Sequence, residues 1–478
     1  MTTALARVLA PALLALCAAA QAPLTLAPWI GDHMVAPADR AWVVSGTAEP
    51  ESTVSFTLWT RPDGRSTSYV DATQSDERGR FRFELPAQDA GLGAELTVTC
   101  GASKLVVRDV AFGDVWVASG QSNMEWTSQQ LGLTPADLSN ASDPGVRLLR
   151  VDRATSAAPR AGLGGLWQRS SPEAACAFSA VAFHFARELR QRSGRPIGVV
   201  QSAWGGTPAE AWTPLATLEA DERFAAILAR EPGSPQWGPA ALYNGMIHPL
   251  LGCQPRGVIW YQGESNADRA EQYRPLFAAM IGAWREAFEA PELPFLFVQL
   301  ANFRARAEAP GESDWAELRE AQAAALALPA TGMAVAIDVG EAEDIHPKDK
   351  ATVGLRLALE ALRVAYGEDL ASRGPRHVGH EVAGGALRVR FEFADGLRAR
   401  SGGAPTGFAL AGEDRVFHWA EARIEGDAVV LTSAAVPAPV AVRYAWADNP
   451  ACDLENAAGL PAEPFRSDDW PGVTAGKR

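Results

Sequence analysis

Ser122 and His346 are the two side chains of this 478-residue chain whose settings suit acyl transfer. Ser122 stands in Gly120-Gln121-Ser122-Asn123-Met124, a small polar turn that ends the apolar run Val115 to Ala118. A serine hydroxyl is a poor nucleophile until a base takes its proton. Histidine, with an ordinary pKa of about 6.5, suits that task at neutral pH. His346 lies in Asp344-Ile345-His346-Pro347. The base in turn needs a carboxylate that fixes its tautomer and stabilises the imidazolium. Asp344 is two residues away, and a bend at Pro347 can fold both toward one crevice. A tetrahedral intermediate also needs hydrogen-bond donors. The candidates are the Ser122 N–H at a helix start, Gly205, where the backbone can approach closely, and the Gln262 side-chain amide. Asn123, Trp204 and Glu264 stand beside these residues and are candidates for substrate contact.

Each group also has a plain structural use. A Gly-x-Ser turn and a Gly-Gly loop are common turns. Gln262 and Glu264 can cap a helix that begins near Ala270, and Asp344 can cap the helix that follows it. The other six histidines have no serine and carboxylate company in the sequence and read as structural. Most of the 15 tryptophans read as core. Trp126, Trp204 and Trp260 flank the polar loops, and Trp204 and Trp260 suit a sugar ring.

The elements that must carry these groups are five apolar runs, Val115 to Ala118, Ile197 to Val200, Val258 to Tyr261, Phe295 to Leu300 and Met333 to Ile337. Helical patterns alternate with them, at Val181 to Arg192, Ala270 to Phe288, Trp315 to Leu326 and Lys348 to Tyr366. Strands without polar alternation, each followed by a helix, predict a parallel sheet covered on both faces. Ligands then bind beyond the carboxyl ends of the strands, where Ser122, Gly205, Gln262, Asn302 and His346 all fall.

Short alternating runs before this region, such as Val54 to Trp59 and Phe81 to Leu85, with turn signals including Pro62-Asp63-Gly64, predict a small β-sandwich. Runs at Leu387 to Phe391 and Ala428 to Thr432 predict a second β-rich region, with the tail after Ala451 as loop. The expected division is 1–22, 26–110, 111–370 and 375–478.

Residues 1–22 have Arg7, an apolar stretch and small residues at Ala18, Ala20 and Ala22, the layout of a secretory signal peptide. Removal of this segment leaves an exported protein, periplasmic or extracellular, with no membrane insertion. Four cysteines then remain, Cys100, Cys176, Cys253 and Cys452, without a CxxC pair. That argues against zinc and favours buried free thiols over a disulfide. The net charge of -14 and the lack of a dense basic run argue against a nucleic-acid partner.

Together, Gly120 to Met124, Trp204 to Thr207, Trp260 to Asn266 and Asp344 to Pro347 resemble the four blocks of an SGNH-type hydrolase, and more narrowly the sialate O-acetylesterase family of carbohydrate esterases. Asp32 to Val35, Ala241 to Met246, Ala458 to Pro461 and Pro464 to Arg466 extend the resemblance over nearly the whole chain. It implies a three-layer α/β/α domain flanked by β-rich regions, and removal of O-acetyl groups from carbohydrates by a serine mechanism without metal or cofactor. By motif position it implies Ser122 as nucleophile, His346 as base, Asp344 as its partner, and Gly205 and Gln262 in the oxyanion hole. Many SGNH hydrolases place the acid three residues before the histidine, which is Glu343 here; Asp338 and Glu264 are further candidates, as is a Ser–His dyad helped by a backbone carbonyl. Acetylated xylan or another plant polysaccharide is an alternative substrate, and a catalytically silent carbohydrate-binding protein is an alternative function.

Overall fold

One strand organises the molecule. Ser103–Gly120 runs unbroken for 18 residues in the computed structural model, which describes residues 23–60 and 66–478. The expected signal peptide over 1–22 and the Pro62-Asp63-Gly64 turn lie outside the described residues. The first part of this strand pairs antiparallel with Gly91–Cys100. Its second part is the centre of the parallel sheet, between Ile197–Ala203 and Gly257–Tyr261. The junction expected at residues 110–111 thus falls inside a continuous strand.

Across the sheet the order is Trp167–Ser170, Asp143–Arg150, Ile197–Ala203, Ser103–Gly120, Gly257–Tyr261, Phe295–Gln299 and Thr331–Val335. Only Trp167–Ser170, at the edge, pairs antiparallel; the other neighbours are parallel. All five apolar runs are strands. Gly257–Tyr261, Phe295–Gln299 and Thr331–Val335 are buried along their whole length, which explains why they carry no polar alternation. The two strands at the Trp167 edge had no sequence expectation. One opens on Asp143-Pro144-Gly145, a turn signal, and the other places Gln168 and Arg169 in a four-residue run.

The helices form two pairs, one on each face. Ala180–Ser193 packs on Lys350–Tyr366, and Ala270–Ala287 packs on Asp314–Ala323. With the sheet between them they make the expected three layers.

The N-terminal region is two small sheets face to face. Thr53–Thr60 lies between Thr67–Gln74 and Gly91–Cys100, while Trp42–Thr47 pairs with Arg80–Leu85. The rings of Phe56 and Phe83, one from each sheet, stack at 3.5 Å. The C-terminal region contains two four-stranded antiparallel sheets. Its tail is mostly loop but is firmly held: Thr474 is 1% exposed, and its N–H and hydroxyl both donate to the Glu317 carboxylate. Arg319, fully buried, joins this region to the central parallel sheet. Its guanidinium donates to Leu300 O and Ala301 O at a strand end and to Ala447 O and Asp448 O of the C-terminal region.

Cys100, Cys176 and Cys253 are buried free thiols, and Cys452 is free and half-buried by residue. Among the described residues no helix is long and apolar enough to cross a membrane.

Candidate active site

Sheet register brings the site loops together. Gly120 stands opposite Ala203 on one side and Tyr261 on the other, so three loops leave the sheet side by side. Gly120 has φ +133°, and an added Cβ would meet Tyr261 O at 2.2 Å. Only glycine lets the chain turn here. The turn starts the one-turn helix Ser122–Glu125. The Ser122 N–H, at its first position, finds no acceptor among the described residues.

Ser122 Oγ lies 3.0 Å from His346 Nε2. On the other side of the imidazole, Nδ1 is 3.1 Å from Asp344 Oδ1, the same oxygen that accepts the His346 backbone N–H at 2.9 Å. The ring of His346 stacks on Trp126, with centroids 3.9 Å apart and planes 15° apart. Stacking and hydrogen bonds together fix the imidazole plane. Burial lowers the His346 pKa below the ordinary histidine value, and the charge of Lys350 lowers it further; the Asp344 carboxylate acts the other way.

The remaining candidate acids are elsewhere. Asp338 is bound by Arg356 through both oxygens, at 2.6 and 2.9 Å, and by Arg400 at 2.7 Å. Glu264 accepts from Asn123 Nδ2. Glu343 is exposed. Asp344 does not cap the following helix; Asp349 does, through Thr352 N–H.

Several sequence expectations need correction. Gln262 is fully buried and its amide N–H groups are spent elsewhere, with Nε2 donating to Asn266 Oδ1 at 2.7 Å and Thr207 O at 3.3 Å. Trp260 is fully buried in an aromatic cluster with Trp212 and Trp284, so it offers no face to a sugar. Trp204 is half-buried, with the Arg153 guanidinium over its ring. Asn123 is 2% exposed and spends its amide on Glu264 and Ile345 O, while its Oδ1 accepts from Lys350. Both ends of its side chain are thus engaged within the protein. His33 does have a carboxylate, Asp109 at 2.6 Å, which Arg147 and Arg169 also bind far from Ser122's partners. Gly205 lies against the nucleophile's turn: an added Cβ would lie 3.2 Å from Ser122 Cβ. Its N–H, however, donates to Glu125 Oε2 at 2.8 Å, and Glu125 is in turn bound by Arg153.

Two groups had no sequence expectation. Lys350 is 1% exposed, and burial pushes its pKa down to about 7. Its charge acts on the imidazole, and Asn123 links it to Glu264, whose carboxyl is pushed up by burial and whose Oε2 is enclosed without a partner among the described residues. Glu125 is the other. The available signal for Lys350 was scarcity: the chain has only four lysines, and one follows the Asp344 to Pro347 motif by three residues.

Residues 112–363, more than half of the chain, match the family described as carbohydrate esterase, sialic acid-specific acetylesterase. The chain belongs to this family. The esterase is 32% identical to sialate O-acetylesterase of Rattus norvegicus, covering 80% of this chain and 81% of that one. It is 31% identical to sialate O-acetylesterase of Mus musculus, covering 92% and 93%. A crystal structure of a carbohydrate acetylesterase from Xanthomonas citri superposes with a TM-score of 0.85 at 43% identity, covering 94% of this chain and all of that one. The esterase is therefore a carboxylic ester hydrolase of the carbohydrate O-acetylesterase class, with an SGNH-type α/β fold and added β-rich regions.

Proposed function

We propose that the enzyme removes O-acetyl groups from carbohydrates through an acetyl-enzyme on Ser122, with O-acetylated sialic acid as its first substrate. The observation that carries the mechanism is the line Ser122 Oγ, His346 Nε2, His346 Nδ1, Asp344 Oδ1, with gaps of 3.0 and 3.1 Å. Ser122 attacks the acetyl carbonyl while His346 takes its proton. The same proton then goes to the departing sugar oxygen as the tetrahedral intermediate collapses. Water, deprotonated by His346, attacks the acetyl-serine and releases acetate. Asp344 holds Nδ1 protonated, so that Nε2 faces the hydroxyl as a base.

Ser122 N–H is the oxyanion donor that stands open. Gly205 N–H joins it only when Glu125 lets go of it, and Gln262 is assigned no part in the hole. The sugar specificity rests on what the curated relatives act on by name. Acetylated plant polysaccharide is the second substrate reading, compatible with the broader carbohydrate acetylesterase description of the Xanthomonas citri structure. A silent binding protein would have no use for a serine, imidazole and carboxylate in line. The layout of residues 1–22 supports export; N-terminal sequencing of the mature protein from its host, starting after Ala22 or nearby, tests that.

Mass spectrometry tests the mechanism. Brief exposure to O-acetylated sialic acid or acetylated xylan followed by acid quenching gives an acetylated peptide containing Ser122. Label on any other residue, with none on Ser122, would refute the assignment.

A further inference from the structure

A cavity of about 300 Å³ opens beside the Ser122 turn, and none of the groups assigned above fills it. Gly206 and Ser265 form its near wall, from the loops that follow Ile197–Ala203 and Gly257–Tyr261. Both are tied to the nucleophile's turn. Gly206 is bonded to Gly205, where an added Cβ would lie 3.2 Å from Ser122 Cβ, and Ser265 N–H donates to Gln121 Oε1 at 3.2 Å. The far wall comes from the segment between Ile227 and Pro239, with Arg230 and Trp237. The volume is at the small end of ligand sites.

The lining has a sugar site's division of labour. Trp237 is 42% exposed, unlike the buried Trp260, and its ring is backed by the bare Gly233. A partly exposed indole ring offers an apolar plate for the C–H face of a pyranose. Glu210 forms the polar floor, buried and bound by Asn266 Nδ2 at 2.9 Å and Arg269 at 3.2 Å. Arg230 approaches the same carboxylate only to 3.9 Å, too far for a hydrogen bond, and is 41% exposed. Its donors are left for a ligand.

We propose that this cavity is the subsite for the pyranose ring that carries the acetyl ester, with the ring on Trp237 and its polar substituents on Arg230 and Ser265. The proposal rests on the esterase reading of Ser122. The shared chemistry is a pyranose; its source is an anionic sialic acid or a neutral polysaccharide unit.

The test compares kcat/KM of the full chain and its Trp237→Ala, Trp237→Phe and Arg230→Gln variants. The substrates are O-acetylated N-acetylneuraminic acid, acetylated xylo-oligosaccharide and 4-nitrophenyl acetate, an acetyl ester without a sugar ring. Trp237→Ala is expected to lower the ratio of sugar-ester to nitrophenyl-ester kcat/KM by about tenfold, mostly through KM, and Trp237→Phe to restore most of it. A larger Arg230→Gln loss on the sialic acid identifies its carboxylate as the arginine's ligand; an equal loss on both sugars identifies hydroxyls. No loss removes Arg230 from the site. An unchanged ratio in Trp237→Ala, or equal falls on all three substrates, overturns the subsite and leaves Ser122 in its role. A wild type that cleaves the nitrophenyl ester through Ser122 but no sugar ester overturns the carbohydrate reading instead.

Discussion

At the residue scale, His346 is held by four neighbours: Ser122, Asp344, the Trp126 ring and the charge of Lys350. Its base role requires the neutral form, so activity rises with pH through its pKa. That pKa lies below the usual value of about 6.5 because of burial and then Lys350. The acidic limb of the kcat/KM profile is therefore expected below pH ~6.5. Lys350→Met removes one of the two lowering causes, so the limb should move to higher pH, while Lys350→Arg keeps the charge and the limb. Glu264, the carboxylate facing Lys350, and Asp344 both act to raise the lysine's own pKa. A loss of kcat in Lys350→Met without movement of the limb would mean that the lysine only supports packing. For the acid, Asp344→Asn is expected to lower kcat by roughly 10²- to 10⁴-fold through the wrong imidazole tautomer. Glu343→Gln should leave turnover near normal, and steady-state assays of the pair separate the two assignments.

That Ser122, His346 and Asp344 would come together was legible because all three stand in loops beyond the carboxyl ends of parallel strands. Gln262 and Trp260 misled because a strand-end position does not reveal which way a side chain points. Trp260 alternates inward to the helix-covered core, and Gln262 is captured by Asn266. Lys350 and Glu125 were hidden for the opposite reason, since charged residues near a polar motif ordinarily read as solvated surface.

At the element scale, the site depends on the turn at the end of Ser103–Gly120. Gly120→Ala would add a clash with Tyr261 O to the strain of positive φ, a destabilisation of about 2–5 kcal/mol. Urea unfolding of the purified variant measures it, and a stability equal to wild type contradicts the geometry. The five buried parallel strands were readable from their unbroken apolar runs. The Trp167 edge was not, because edge strands carry the turn and polar residues that sequence patterns assign to loops. The unbroken strand across residues 110 and 111 was also invisible, since its two parts serve different sheets and carry different patterns.

For the whole molecule, the β-rich C-terminal region is tied to the active-site sheet through buried charge. Arg319 donates to four carbonyls from two regions, and Asp338 joins Arg356 of the last helix to Arg400 of the C-terminal region. Asp338→Asn leaves the Arg356 guanidinium buried beside a neutral group, a cost of about 3–5 kcal/mol by precedent for broken buried pairs. The expected result is a lower melting temperature with kcat largely kept at 25 °C. A large specific loss of kcat in a fully folded Asp338→Asn variant would instead make Asp338 part of the catalytic machinery.

The central claim is that Ser122 is the nucleophile of a carbohydrate deacetylation. Acetate release from O-acetylated sialic acid and from acetylated xylan, measured side by side for wild type and a folded Ser122→Ala variant, tests it most directly. The account predicts acetate from the wild type on at least one of the two and a fall of roughly 10⁴-fold or more in the variant. Equal rates in the two proteins would contradict it.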